Sequence, residues 1–204
     1  MGIIASLIIF LVAVTIHECA HAFTAYKLGD MTAKKMGRLS LNPLTHIDPF
    51  GTIIFPVMLI VLHSPVLFGW AKPVPINFAN LNNPKKDMIW VGLAGPAANF
   101  AFALMASIVL KIFLNTESGP AIFSSLLQYA IIVNIVLAVF NLIPIPPLDG
   151  SRVLMGLLPR PLAITIAKLE PYGFIVLFAL LYMGLFDVLV WPIATHITRL
   201  LLHI

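Results

Sequence analysis

The chain has 204 residues, of which 60% are hydrophobic and 10% are charged, with a formal net charge of +4. Soluble domains carry about a quarter charged residues, so this composition excludes an ordinary soluble protein. It predicts an integral membrane protein, and the length predicts a single domain over residues 1–204. A lone cysteine, Cys19, excludes an internal disulfide and a cysteine-rich metal site. Basic residues lie between apolar segments, which is typical of membrane anchoring and not of nucleic-acid binding.

Four apolar segments are long enough to cross a bilayer as α-helices. They comprise residues 3–26, 88–114, 121–143 and 172–191. The first segment lacks the basic start and the small-residue cleavage site of a signal peptide, so we expect it to be retained as a span. The predicted fold is an all-α integral membrane protein, a polytopic helical bundle of about four spans.

Two further segments are expected to touch the membrane without crossing it. Residues 51–70 are apolar but are interrupted by Pro56 and by the sequence "HSP" at 63–65, and both flanks are basic. This pattern predicts a re-entrant segment, which enters and leaves on the same side. The sequence "RLSLN" alternates polar and apolar residues, which predicts a small membrane-associated β element near 33–42.

The first span contains the sequence "HECAH", in which His17 and His21 are four residues apart. On a helix their rings point from one face and can share a metal ion. Glu18 lies beside them and can act as a general base for a metal-bound water. Each ionisable group in hydrocarbon costs about 3 kcal/mol on insertion scales, so such residues usually mark function. The alternative interpretation is a hydrogen-bond cluster between helices or a proton relay.

A catalytic zinc ion takes three protein ligands and keeps one position open for water. Asp149 is the predicted third ligand, because it follows a span on proline-interrupted backbone with apolar neighbours. Irregular backbone at membrane depth is tolerated only where it is buried in protein or lines a cavity. The alternative role for Asp149 is to cap the helix that starts at Ser151. Glu170 is the rival ligand, but its place between Lys168 and Pro171 favours an interfacial charge.

The distribution of basic residues predicts the orientation of the chain. Lys and Arg are frequent in 27–50 and 71–87 and absent from the turn at 115–120. The positive-inside rule therefore makes the Lys27 end of the first span cytoplasmic. Since "HECAH" lies nearer that end, we expect the site inside the bilayer close to the cytoplasmic side. Asp149 reaches the same level only if residues 51–70 do not cross.

These motifs resemble those of the site-2 proteases, zinc metalloproteases that cut substrates within the membrane. "HECAH" is similar to the family's HExxH, "GPAANF" at 95–100 resembles its GxxxN motif, and "NLIPIPPLDG" is similar to its NxxPxxxLDG motif. "GRLSLNP", "HIDPFGT" and "GWAKPVP" look like the short bacterial branch, which lacks PDZ and CBS domains. Together these stretches cover nearly the whole chain.

The resemblance implies a core of three spans, here 3–26, 88–114 and 121–143, and one bound zinc ion. It implies the same ligands and base as the residues do, namely His17, His21 and Asp149 as ligands and Glu18 as the base. It adds two substrate-binding residues, Asn141 and Asn99.

The function implied is the hydrolysis of peptide bonds in or near transmembrane segments of single-span membrane proteins. The expected location is the cell membrane, with the lipid bilayer as a partner and no nucleic acid. Two other interpretations compete with this one. A polytopic transporter or channel would use the intramembrane polar residues as an ion path, and an inactive relative would bind zinc without cleaving.

Overall fold

The computed structural model describes residues 2–54, 57–58, 61, 72–115 and 121–203. Within these residues the regular structure is helical and contains no strand. The α-helices are α1 (Ile3–Lys27), α2 (Thr32–Lys35), α3 (Pro84–Asn115), α4 (Ala121–Asn141), α5 (Asp149–Leu157), α6 (Arg160–Ala167), α7 (Gly173–Tyr182) and α8 (Trp191–His203). Short 3-10 and π-helical turns lie at Pro43–His46, Pro49–Ile54, Phe78–Asn80, Glu170–Tyr172 and Phe186–Val190.

Among the described residues, four helical segments are long and apolar enough to cross a bilayer: Ile4–Lys27, Pro84–Leu114, Ala121–Asn141 and Arg160–Tyr182. The first three coincide closely with the segments predicted as core spans, although α3 begins four residues earlier than expected. Pro84 begins that helix, where a missing N–H costs nothing. The prolines at 144, 146 and 147 follow α4 and prevent its continuation.

The fourth predicted span, 172–191, is not one continuous helix. Helix α7 ends at Tyr182, and Gly184 has a φ of +90°, a left-handed conformation that glycine adopts without strain. The apolar segment with the length and hydropathy of a span runs from Arg160 to Tyr182, through α6, a turn at 168–172 and α7. Hydropathy alone does not mark the turn at Gly184, because residues on both sides of it are apolar.

The predicted β element near 33–42 is wrong. Residues Thr32–Lys35 form α2, and Gly37, with a φ of +66°, turns the chain before an irregular stretch. Alternation in "RLSLN" predicts one face for Leu39 and Leu41. Instead Leu39 packs against a buried cluster, whereas Leu41 is 68% exposed. The predicted re-entrant segment, residues 51–70, lies beyond Ile54 almost entirely outside the described residues.

Helix α3 is the centre of the bundle and packs against α1, α4 and α5. The C-terminal half of α3 shares the largest apolar core with α4, α7 and α8. The buried members of this core that lie in the four helices are Ala103, Ala106, Leu110, Ile131, Ile135, Val139, Leu177 and Ala194. The N-terminal half of α3 places glycines against the neighbouring helices. A Cβ on Gly92 would lie 3.1 Å from the Asp149 carbonyl oxygen, so α3 and α5 approach closely there.

A buried carboxylate fastens the end of α1 to the segment that precedes α3. Asp30 is fully buried and accepts hydrogen bonds from the Thr32 hydroxyl (2.5 Å), the Asn77 backbone N–H (2.8 Å) and the Asn80 side-chain amide (3.0 Å). Burial by itself would raise the pKa of Asp30, but these hydrogen bonds outweigh it and lower the pKa below its usual value. The ionised carboxylate therefore stabilises this junction.

Candidate metal centre

Helix α1 brings two imidazole rings together on its inner face. His17 and His21 are separated by one helical turn, and their Nε2 atoms lie 3.1 Å apart. The ring centroids are 4.7 Å apart with an interplanar angle of 77°, so the rings meet edge to face. Both side chains are buried. The predicted histidine pair therefore forms one cluster.

Asp149, the first residue of α5, joins this cluster from a distant part of the sequence. Its Oδ2 lies 3.1 Å from Nε2 of His17 and 3.1 Å from Nε2 of His21. The three ligand atoms thus converge on one point. Glu170, the rival third ligand, does not take part, because its carboxylate pairs with the Arg152 guanidinium.

The outward-facing nitrogen of each ring has its own partner. Nδ1 of His17 lies 2.6 Å from Oδ1 of Asn99, and Nδ1 of His21 lies 2.7 Å from the Val91 carbonyl oxygen. Because both partners are acceptors, each Nδ1 carries the proton and each Nε2 presents a lone pair to the cluster. Metal-binding histidines are oriented in this way by a second hydrogen bond.

The arrangement fits a zinc ion with three protein ligands. Two neutral imidazole nitrogens and one carboxylate oxygen are the donor types of catalytic zinc sites, which leave the fourth position open. Gly95 of α3 forms the floor of the site: a Cβ there would lie 2.6 Å from Nε2 of His17. The absence of a side chain at Gly95 keeps this space available for an ion and its ligands.

Glu18 follows His17 but lies outside the ligand cluster. Its Oε2 accepts a hydrogen bond of 2.8 Å from the backbone N–H of Val74. Val74 is buried and belongs to a non-helical segment, 72–77, that passes beside α1. The predicted base is therefore held at one oxygen by a backbone amide 56 residues away in the sequence.

Segment 72–77 is fastened at its start as well as at Val74. The Arg38 guanidinium donates to the carbonyl oxygens of Lys72 (2.8 Å) and Pro73 (3.3 Å), and the Lys72 N–H donates to the His46 carbonyl oxygen (2.9 Å). The stretch "RLSLN", which begins with Arg38, thus helps to hold the segment that contacts Glu18. Sequence reasoning missed this contact because no side-chain pattern reports a backbone donor.

The two predicted substrate contacts occupy different positions. Asn99 is fully buried, with its Oδ1 beside Nδ1 of His17 and its Nδ2 donating to the Ala13 carbonyl oxygen. The side chain therefore supports a predicted metal ligand and is not exposed. Asn141 ends α4, is half-buried, and donates to the Leu137 carbonyl oxygen of its own helix at 3.0 Å. A substrate contact for Asn141 stays a prediction.

Comparison with known proteins identifies the family. The model of peptidase family M50 matches residues 5–117 and 111–183. The chain is 40% identical over 190 residues to YwhC of Bacillus subtilis, a protein named as a candidate zinc metalloprotease, and the match covers 91% of this chain and 83% of YwhC. It is 31% identical to Rip2 of Mycolicibacterium smegmatis, similarly named, over 84% of this chain and 64% of Rip2.

No solved structure matches the chain. The names of the relatives and the donor set of the site agree on the metal, so the cofactor is zinc. Four apolar helices together with the family make this a multi-pass membrane protein. The chain belongs to peptidase family M50, the site-2 protease family, and is a metalloprotease.

Proposed function

We propose that this metalloprotease cleaves peptide bonds in or near the transmembrane segments of single-span membrane proteins. The observation that carries the proposal is the position of the ligand cluster. His17 and His21 project from the C-terminal half of a helix long and apolar enough to cross a bilayer, and Asp149 meets them there. A protease site at such a depth acts on peptide bonds that lie in or near the membrane.

In this proposal His17, His21 and Asp149 hold one zinc ion. When bound, zinc acts as a Lewis acid that polarises a carbonyl and makes water acidic enough to attack at neutral pH. The Nδ1 hydrogen bonds to Asn99 and Val91 keep both imidazoles in the tautomer that donates through Nε2.

Glu18 is the general base of the proposed reaction. It accepts the proton of the attacking water and returns it to the leaving amine, which is the role of the glutamate in HExxH helices. The Val74 N–H holds Oε2, so the carboxylate is oriented before substrate arrives. Asn141 lies at the end of α4, eight residues before Asp149, and is the proposed substrate contact.

The excess of Lys and Arg on the loops at the Lys27 end supports an active site near the cytoplasmic face of the cell membrane. His21 is six residues from Lys27, which corresponds to about 9 Å of helix. Cysteine-accessibility labelling at Lys35 and Ser118 should place these positions on opposite sides, with Lys35 cytoplasmic. Labelling from the same side would overturn this orientation.

The decisive experiment measures zinc content and cleavage together. Purified wild-type protein should hold one zinc ion per chain and cleave a model single-span substrate in proteoliposomes. Glu18→Gln should retain the zinc and lose cleavage, since the amide cannot accept the proton. Wild-type protein that binds zinc but cleaves no membrane substrate would support an inactive relative, and unchanged cleavage by Glu18→Gln would remove Glu18 from the mechanism.

A further inference from the structure

A second asparagine is buried behind the metal centre. Asn134 of α4 is fully buried among Ile131, Ile135 and Ala138. A buried amide without hydrogen-bond partners is strongly destabilising, so the partners of this side chain matter. Its Nδ2 donates to the Ala130 carbonyl oxygen at 2.8 Å, which leaves Oδ1 to face α3.

Oδ1 of Asn134 accepts a hydrogen bond of 2.7 Å from Nδ2 of Asn99. The other N–H of the same Asn99 amide donates to the Ala13 carbonyl oxygen of α1 at 3.1 Å. Both amide protons of Asn99 are therefore used, and its Oδ1 is directed at Nδ1 of His17. Rotating the Asn99 amide by half a turn would place its oxygen against Oδ1 of Asn134 and the Ala13 carbonyl oxygen, which are both acceptors.

The hydrogen bonds are thus donated in one direction, from the metal ligand His17 through Asn99 and Asn134 to the Ala130 carbonyl oxygen. Ala130 sets the amide orientation of Asn134, Asn134 sets that of Asn99, and Asn99 sets the tautomer of His17. His21 differs, because its Nδ1 partner is the backbone carbonyl of Val91. His17 is the ligand whose orientation depends on side chains of two other helices.

We propose that Asn134 is a positioning residue of the zinc site, which acts through Asn99 to hold His17 in the tautomer that donates through Nε2. The proposal rests on the zinc-binding role of His17 in the proposed function. A packing role alone would be met by the one hydrogen bond between Asn99 and Asn134. Here the same Asn99 amide also accepts from Nδ1 of His17, so the bond from Asn134 is coupled to a ligand on α1.

The test measures apparent zinc affinity against a chelator of known affinity, in the Glu18→Gln background so that cleavage plays no part. Loss of a hydrogen-bond partner of a ligand weakens metal binding by about 10–100-fold. We expect Asn99→Leu to fall in that range and Asn134→Leu to lose about tenfold. The double variant should bind as weakly as Asn99→Leu alone, because Asn134 acts through Asn99.

Asn134→Asp is the conservative variant and should restore binding: at this buried position its carboxyl stays protonated, so it can donate to the Ala130 carbonyl oxygen and accept from Asn99. Ser107→Ala is the matched control: it removes a buried hydrogen bond of α3, to the Leu104 carbonyl oxygen, and should leave zinc affinity unchanged. Cobalt substitution gives a second readout, because the visible absorption of bound Co²⁺ reports ligand geometry and should change in Asn134→Leu but not in Ser107→Ala.

Wild-type zinc affinity in Asn134→Leu, losses that multiply in the double variant, or failure of Asn134→Asp to restore binding would each overturn the proposal. Should Asn134→Leu not fold, Asn134→Ala removes the same amide without adding bulk and is held to the same outcomes. Failure of the underlying function looks different: the parent protein would then bind no zinc at His17, His21 and Asp149.

Discussion

Gly95→Ala places a methyl group in the floor of the metal centre. The added Cβ would lie 2.6 Å from Nε2 of His17 and still closer to Nε2 of His21. Ordinary van der Waals contact begins at 3.4 Å, so the His17 ring would have to move by about 0.9 Å and the His21 ring by about 1.1 Å. Neither ring moves freely, since each Nδ1 is already engaged by Asn99 or Val91.

That displacement is large for a metal site, in which ligand distances hold to about 0.2 Å. A misplacement of 1 Å at a reacting centre costs about 100-fold in rate. We therefore expect Gly95→Ala to lose at least about 100-fold in kcat/KM, equivalent to about 2.7 kcal/mol. Zinc affinity should fall in parallel. Helix stability cannot account for the loss, because alanine is the better helix former by about 1 kcal/mol.

The assay compares zinc per folded chain after dialysis against a chelator with cleavage of a single-span substrate in proteoliposomes. Gly156→Ala is the matched control, because its Cβ crowds the Ile89 side chain and lies 2.9 Å from the Lys85 carbonyl oxygen, at the end of α5 opposite Asp149, and touches no ligand. It should lower thermal stability and keep one zinc per chain. Gly95→Ala protein with wild-type zinc affinity and cleavage would refute the proposed position of the ion above Gly95.

Three further outcomes follow from contacts around the centre. Val74→Pro removes the N–H that holds Glu18 and should lower kcat about tenfold, with zinc content unchanged. Val74→Ala keeps the amide, so its kcat should stay near the wild-type value. Equal kcat values for the two variants would show that the contact does not orient the base. Glu170→Gln should keep one zinc per chain, because its partner is Arg152 and not the metal; loss of zinc would restore Glu170 as a ligand. The pKa of Asp30 is lower in the folded protein than its usual value of about 3.9, so its contribution to stability is complete above that pH and is lost as the pH falls through the folded pKa. Asp30→Asn should therefore show a smaller drop in melting temperature on acidification below pH about 4, and an unchanged drop would exclude Asp30 as the titrating group.

The ligand set could be predicted from the sequence because each ligand carries a local signal. His17 and His21 have helical spacing inside an apolar span, and Asp149 lies where prolines interrupt the backbone after another span. The core spans follow from length and hydropathy for the same reason. The break at Gly184 carries no such signal, because the residues around it are as apolar as those of a continuous span.

The supports of the site depend on contacts between distant segments and could not be predicted. The bond from Val74 to Glu18 and that from Val91 to His21 use backbone groups, which every residue other than proline possesses. Asn99 is predicted as a substrate contact, and the contact of its Oδ1 with Nδ1 of His17 depends on the rotation of α3 about its axis. That rotation is set by the packing of three helices and not by the local sequence around Asn99.

The glycines of α3 link helix packing to the geometry of the metal centre. Gly92 allows close helix approach where α5 begins, because its missing Cβ lets the Asp149 carbonyl oxygen come within 3.1 Å of where that atom would be. One turn later Gly95 leaves room for both imidazoles, and one further turn on Asn99 reaches His17. A side chain at either glycine would separate Asp149 from the histidines by pushing one helix away. Close packing of α3 is therefore the condition under which ligands from α1 and α5 can share an ion.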